Sequence, residues 1–209
     1  FNILALAHKR LGNYTNALSI YENLLLNNPR NTLFLGNLGN IYTDIGKLDK
    51  AESCFKKCLE IDSENFNVSI SLANIYAIKA KFDSALSIFN QILTTSNNLS
   101  AKQLGNVNYR IAEVYRSKGR DFFDNAIHHY GLSDEPLSSA HQLELIYRSK
   151  DFNTFIKAEE KINDRGDLNP LLSAVQTHAS IRYNKPNNNR FCKNPLKYIE
   201  HSKLTDGEG

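Results

Sequence analysis

The amino-acid sequence repeats its residue types at a spacing of 34 positions over three successive copies. The aligned positions are Leu4, Leu38 and Leu72; Ala5, Gly39 and Ala73; His8, Tyr42 and Tyr76; Gly12, Gly46 and Ala80; Ala17, Ala51 and Ala85; and Tyr21, Phe55 and Phe89. A fixed period of this length is typical of arrays in which each repeat packs only against its neighbours. The period therefore predicts a repeat architecture rather than a single central core.

The stretch from Leu35 to Asp62 is the clearest copy and predicts two short helices. Apolar residues recur at helical spacing from about Leu33 to Ile45, and Gly46 then ends the first helix. We predict Asp49 as the N-cap of the second helix.

Small residues mark the predicted crossing of the two helices in this copy. Gly39 and Ala51 lack bulk, so the two backbones can approach closely at these positions. The rings of Tyr42 and Phe55 are expected to fill the space around the crossing.

This order of large, small, aromatic, glycine, alanine and aromatic positions resembles the tetratricopeptide repeat family. The family's proline near the end of the second helix is present as Pro29, and Ser63 and Asn97 take its place later. The resemblance implies an all-α fold, a right-handed α-solenoid of antiparallel helix pairs. It also implies a protein-protein interaction scaffold whose first helices line a concave groove that binds an extended peptide or a partner helix.

The repeat register predicts the organisation of the chain. The predicted segments are repeats at about 1–31, 32–65, 66–99 and 105–134, a divergent repeat at 135–163, a capping helix at 166–184 and an irregular tail at 185–209. Asn169 and Pro170 are expected to start the capping helix as N-cap and first helical residue. The chain opens on Phe1 and contains no methionine, which we interpret as a piece of a longer protein.

The helix phase set by the core columns predicts which polar residues are exposed on the groove. The candidate peptide-binding residues are Asn37, Asn40, Ser71, Asn74, Tyr109, Arg110 and Glu113. Asn40 and Asn74 occupy the same place one repeat apart, and an amide offers a peptide backbone both a donor and an acceptor. Arg110 is suited to a carboxylate. The alternative is that these are solvated polar side chains with no binding role.

Two subgroups of the family bind ligands through residues that this sequence matches only in part. Asn40 and Arg110 match the subgroup that clamps the C-terminal carboxylate of chaperones, whereas Gly36, Ser71 and Asn106 depart from it. We therefore reject the chaperone co-factor interpretation.

The protein O-glycosyltransferases of the family line their groove with a ladder of asparagines. Asn40 and Asn74 resemble two steps of that ladder, but Leu6 and Glu113 interrupt the column.

Composition and motifs indicate no chemistry of the chain's own. The net charge of +3 is spread along the sequence, so we predict no nucleic-acid partner, and no apolar run is long enough for a membrane span. We predict no catalytic residues, no metal site and no cofactor, because no familiar catalytic or metal-binding motif is present. Cys54 and Cys58 are interpreted as core residues rather than a redox pair or metal ligands. A cytoplasmic location is expected.

An alternative function comes from the tail. Its sequence FCKNPLKYIEHSKL, residues 191–204, is similar to the linker of repeat proteins that continue into an iron- and 2-oxoglutarate-dependent oxygenase domain. That similarity implies a substrate-recruiting part of a larger enzyme, an oxygenase or a glycosyltransferase, whose catalytic domain lies outside this sequence.

Overall fold

The structure is a computed structural model that describes residues 1–95, 99–167 and 169–186. These residues form α-helices and one short 3-10 helix, and contain no β-strand. The helices are α1 Asn2–Arg10, α2 Tyr14–Asn27, α3 Thr32–Asp44, α4 Leu48–Ile61, α5 Phe66–Ile78, α6 Phe82–Thr95, α7 Ala101–Lys118, the 3-10 helix Arg120–Phe122, α8 Phe123–Gly131, α9 Ser138–Ser149, α10 Phe152–Asp164 and α11 Pro170–Arg182. The predicted all-α fold, an α-solenoid of helix pairs, is confirmed.

The chain divides into two compact units, residues 1–98 and 99–209. The first contains three helix pairs, in which each helix from α1 to α5 packs on the next helix along the chain. The second contains α7 to α11, where α8 packs on α7 and α9, and α11 packs on α9. The predicted tail lies outside the described residues except for Lys185 and Pro186.

The turns between the paired helices of the first unit share one backbone conformation. Gly12, Gly46 and Ala80 all have positive φ, at +75°, +73° and +56°. At the second turn the amide of Lys47 donates to the carbonyl of Tyr42 at 2.8 Å, which satisfies a carbonyl at the end of α3. The glycine column of the sequence therefore marks left-handed helix ends, and Ala80 adopts the conformation without being glycine.

The predicted crossing of α3 and α4 is confirmed. A Cβ atom on Gly39 would lie only 2.5 Å from a ring carbon of Phe55. Ala51 and Phe55 are both buried. The close approach of the two helices thus depends on the missing side chain at position 39.

The predicted N-cap at Asp49 is wrong, because α4 begins at Leu48 with Lys47 at the N-cap position, and Asp49 lies in the first turn. The neighbouring helices α3 and α5 do have side-chain caps. Asn31 accepts a hydrogen bond from the amide of Phe34, and Asn65 accepts one from the amide of Val68. An amide oxygen at this place satisfies a donor that the helix leaves unpaired.

In the second unit, α7 starts at Ala101, four residues before the predicted start of the fourth repeat. Ser100 and Gln103 form a reciprocal capping box that sets this start. The extra residues of this repeat form the 3-10 helix. Ala126 and Tyr130 are then buried, as their repeat columns require.

The last three helices share one apolar cluster, which includes Leu143, Phe155 and Leu172. Asn169 caps α11 by accepting from the amide of Leu172, and Pro170 is the first helical residue, as the sequence predicts. Helix α11 therefore covers the apolar faces of α9 and α10.

Candidate peptide-binding surface

The candidate residues of the first unit lie on α3 and α5, and they are half-buried rather than exposed as predicted. Asn37 donates from its side chain to the Oδ1 atom of Asn2 at 3.4 Å, and the same oxygen accepts the hydroxyl of Tyr21 at 2.8 Å. Asn37 thus ties α3 to α1 and α2. Helix periodicity alone does not predict this internal partner.

Asn40 differs from Asn37 in its surroundings. Within the part of the chain that the structure describes, its side chain makes no hydrogen bond to another residue, although it is half-buried. Ser71, on α5, donates its hydroxyl to the carbonyl of Asn67 in the same helix at 3.0 Å. Asn74 holds the place of Asn40 on α5 and is also half-buried. The Asn40 amide therefore retains its capacity to donate and to accept a hydrogen bond.

The candidate residues of the second unit lie on α7 and are also half-buried. The Nε atom of Arg110 donates to Asn106 Oδ1 at 3.0 Å, and Asn106 Nδ2 donates in turn to Glu135 Oε1 at 2.8 Å. These two hydrogen bonds fix the orientation of the Arg110 guanidinium. The sequence comparison noted Asn106 only as a departure from a family pattern, whereas it positions a neighbouring side chain.

The Glu113 carboxylate is the centre of a second polar cluster. It accepts a hydrogen bond from the Tyr130 hydroxyl and lies 3.5 Å from Arg116 Nη1. His141 Nδ1 approaches it to 3.2 Å without the alignment of a hydrogen bond. Burial first, and then the hydrogen bond to Glu113, raise the pKa of Tyr130 well above its usual value. Glu113 is therefore occupied by partners within its own unit.

Tyr109 contributes its ring to the packing around that cluster. Its ring centroid lies 5.8 Å from that of Tyr130, in an edge-on arrangement, and 6.1 Å from that of His141, in a stacked one. Burial raises the pKa of the Tyr109 hydroxyl. Tyr109 and Glu113 thus pack in one cluster with side chains of α8 and α9. The periodicity of α7 alone did not reveal this cluster.

The adjacent histidines of α8 differ in their burial. His128 is exposed, whereas His129 is half-buried, with its ring stacked on Tyr115 at 5.8 Å between centroids. Its Nδ1 atom lies 2.8 Å from Oδ1 of the buried Asn108. Burial lowers the pKa of His129, so the neutral ring is favoured.

The two cysteines of α4 are buried and belong to the core cluster of the first unit. Burial raises the pKa of both thiols, which disfavours the reactive thiolate. Among the described residues, no group of three or more His, Cys, Asp or Glu side chains is placed to hold a metal ion. Within the same residues no helix combines the length and apolarity needed to cross a bilayer.

Comparison with known proteins identifies the repeats. Tetratricopeptide repeat models match residues 1–32 and residues 33–65. The curated proteins give no match.

Solved structures share the fold. A crystal structure of MamA is 20% identical over 77% of this chain and 96% of its own, with a TM-score of 0.59. A MamA RS-1 double mutant is 16% identical, covers 77% of this chain and 89% of its own, and has a TM-score of 0.64. PilF of Pseudomonas aeruginosa is 13% identical over 97% of this chain and 95% of its own, with a TM-score of 0.66. At such identities the likeness concerns the fold alone. Residues 1–65 of this chain are thus two tetratricopeptide repeats.

Proposed function

We propose that this chain binds an extended peptide segment or a partner helix of another protein along the first helices of its repeats. Tetratricopeptide repeats and their α-solenoid support the broader role of a protein-interaction scaffold. The observation that carries the narrower proposal is Asn40. Its half-buried amide makes no hydrogen bond to another described residue, so its donor and its acceptor are both open to a ligand.

The proposal divides the predicted residues into two roles. Asn40 and Asn74 hydrogen-bond the ligand backbone, because each amide can donate to a carbonyl and accept from an amide. Arg110 contacts a ligand carboxylate, because a planar guanidinium matches the geometry of a carboxylate.

The other candidates shape the surface rather than contact the ligand through hydrogen bonds. Asn37, Ser71 and Glu113 have polar atoms that are already bonded to neighbours in their own unit. The ring of Tyr109 packs on that of Tyr130, and its half-buried side chain forms part of the surface.

A peptide library screened against the whole chain tests this proposal. For each selected peptide, we expect Asn40→Ala, Asn74→Ala and Arg110→Ala each to weaken binding by about threefold to thirtyfold, the usual range for one hydrogen bond lost. Asn16→Ala is the matched control, since Asn16 is an exposed asparagine on a second helix. Unchanged affinity in all three variants, or equal weakening by the control, would reject the assigned surface.

A further inference from the structure

A groove lies between the start of α2 and the turn that joins α3 to α4. Its volume is about 540 Å³, and its lining includes Tyr14, Leu18, Ile45 and Lys47. All four residues belong to the first unit. The lining shares no residue with the peptide-binding surface proposed above, so this groove is a separate candidate site.

The floor of the groove is apolar. Tyr14, Leu18 and Ile45 are half-buried, and all three pack against the core cluster of the first unit. Part of each side chain is therefore held in the core, while another part stays open to solvent in the groove. Covering the open part takes apolar surface out of water, which is favourable in free energy.

The charge of the groove comes from Lys47, an exposed lysine that forms no ion pair with any described residue. The acidic residues nearest to it along the sequence are Asp44 and Asp49. Asp44 pairs with Lys9 at 3.2 Å, and Asp49 pairs with Lys79 at 2.7 Å. An occupant that complements the groove therefore carries a negative charge beside an apolar side chain.

The corresponding groove one repeat later has a similar size and a different chemistry. Its volume is about 530 Å³. By the 34-residue spacing, Glu52 holds the place of Leu18, and Lys79 holds the place of Ile45. The ammonium of Lys79 lies 2.7 Å from the carboxylate of Glu52. The second groove thus pairs these charges internally, whereas the first offers an apolar floor beside a lysine.

We propose that the groove between α2 and the α3–α4 turn binds an extended segment of a partner protein in which a large apolar residue adjoins Asp or Glu. The apolar side chain packs on Leu18 and Ile45, and the carboxylate pairs with the ammonium of Lys47. The apolar contact supplies most of the affinity, because an exposed ion pair contributes little. The carboxylate provides selectivity for acidic segments.

Random peptides displayed on phage are the probe. They are first depleted on a chain that carries Leu18→Glu with Ile45→Lys, and are then selected on the unchanged chain. The two substitutions copy the pair of Glu52 and Lys79 into the first groove, so they replace its apolar floor by an ion pair that the same place accommodates one repeat later. Circular dichroism and thermal unfolding check that the substituted chain folds.

We expect the selected peptides to share a large apolar residue next to Asp or Glu, and synthetic copies are measured by fluorescence anisotropy. Replacing the apolar residue by Ser should weaken binding at least about tenfold, and replacing the acidic residue by its amide about threefold.

In the chain, Lys47→Glu should weaken binding by about tenfold, because it turns an attraction into a repulsion. Lys47 is exposed, so this variant should keep its fold. Lys81→Glu is the matched control, since Lys81 is an exposed lysine at the same place one repeat later. Asn40→Ala should leave the affinity unchanged, which separates this groove from the surface proposed above.

Four results would overturn the proposal. The first is a selection that enriches no peptide after the depletion. The second is enriched peptides that lack an acidic residue, or whose affinity changes equally in Lys47→Glu and Lys81→Glu. The third is displacement of the bound peptide by a synthetic peptide of residues 187–209, which would make the chain's own tail the occupant. The fourth is self-association of the chain that Lys47→Glu abolishes, which would make a second copy the occupant.

Discussion

The ammonium of Lys79 lies 2.7 Å from a carboxylate oxygen of Glu52, joining the C-terminal end of α5 to the outer face of α4. The same ammonium is 2.7 Å from Asp49 Oδ1, and Lys56 contacts the other side of Glu52 at 2.7 Å. Hydrogen bonds from Lys56 and Lys79 lower the pKa of Glu52 to about 2. This small network links two successive repeats through charge rather than apolar packing.

The network predicts a component of acid stability. The pKa of Glu52 is about 2 in the folded chain, against an ordinary value of 4.5 that we take for the unfolded chain. The ionised carboxylate therefore stabilises the folded chain fully above pH 4.5. That contribution is lost as the pH falls from 4.5 towards 2. We therefore measure the free energy of unfolding in urea at several pH values. Between pH 4.5 and 2 it should fall less for Glu52→Gln than for the unchanged chain. Glu60→Gln is the control, because Glu60 is exposed on the same helix. Its free energy of unfolding should fall by as much as that of the unchanged chain.

A second prediction concerns the crossing of α3 and α4. Gly39→Ala places a Cβ atom 2.5 Å from the Phe55 ring, so the ring or the helices must shift. We expect a cost of about 1–3 kcal/mol in the free energy of unfolding, as is usual for overpacking. Gly36→Ala is the matched control on the same helix, because its nearest neighbour would be Val68 Cγ2 at an ordinary 3.6 Å. Equal effects of the two substitutions in chemical denaturation would contradict this account of the crossing.

The turns give a reciprocal pair of predictions. Ala80 has φ of +56°, a conformation that costs a residue with a Cβ atom about 1–2 kcal/mol. Ala80→Gly removes this strain but frees the unfolded chain, so the net gain should be about 0.5–1 kcal/mol. Gly46→Ala should lose a similar amount, since a Cβ atom there meets no neighbour within 4 Å and only the backbone conformation is penalised. Thermal unfolding should show a gain in stability for Ala80→Gly and a loss for Gly46→Ala. A loss of stability in Ala80→Gly would be inconsistent with strain at Ala80.

The burial of the two thiols predicts slow chemical modification. In a chain that carries Cys192→Ser, Cys54 and Cys58 should react with a thiol reagent at least about tenfold more slowly than in denaturant, because burial both blocks access and raises the thiol pKa. The rate after denaturation is the internal reference. Fast reaction in the native chain would show that α4 does not hold these residues in the core.

Much of the fold could be predicted because the repeat columns record packing directly. Gly39 and Phe55 must face each other for two helices to cross so closely, and that need is visible as small and aromatic residues in register. The cap at Asn169 followed by Pro170 was visible for the same reason, since its residue types are specific to a helix start.

The candidate site was less predictable, because it depends on partners far apart in sequence. Helix periodicity placed Tyr109 and Glu113 on one side of α7, but only the packing of α8 and α9 shows Tyr130 and His141 against them. The Asp49 cap was mistaken for a related reason. Asp49 sits near the helix start, as a cap would, but its carboxylate pairs with Lys79, 30 positions away.

Side-chain caps make the starts of α3, α5 and α7 independent of the residues that precede them. Asn31 and Asn65 fix the beginning of α3 and α5 through a hydrogen bond three residues ahead, and Ser100 does the same for α7. The length of the connection before such a cap is then free to vary without moving the helix that follows. A connection before such a cap is thus a place where residues can be added or removed in evolution and in protein engineering while the helix that follows keeps its start.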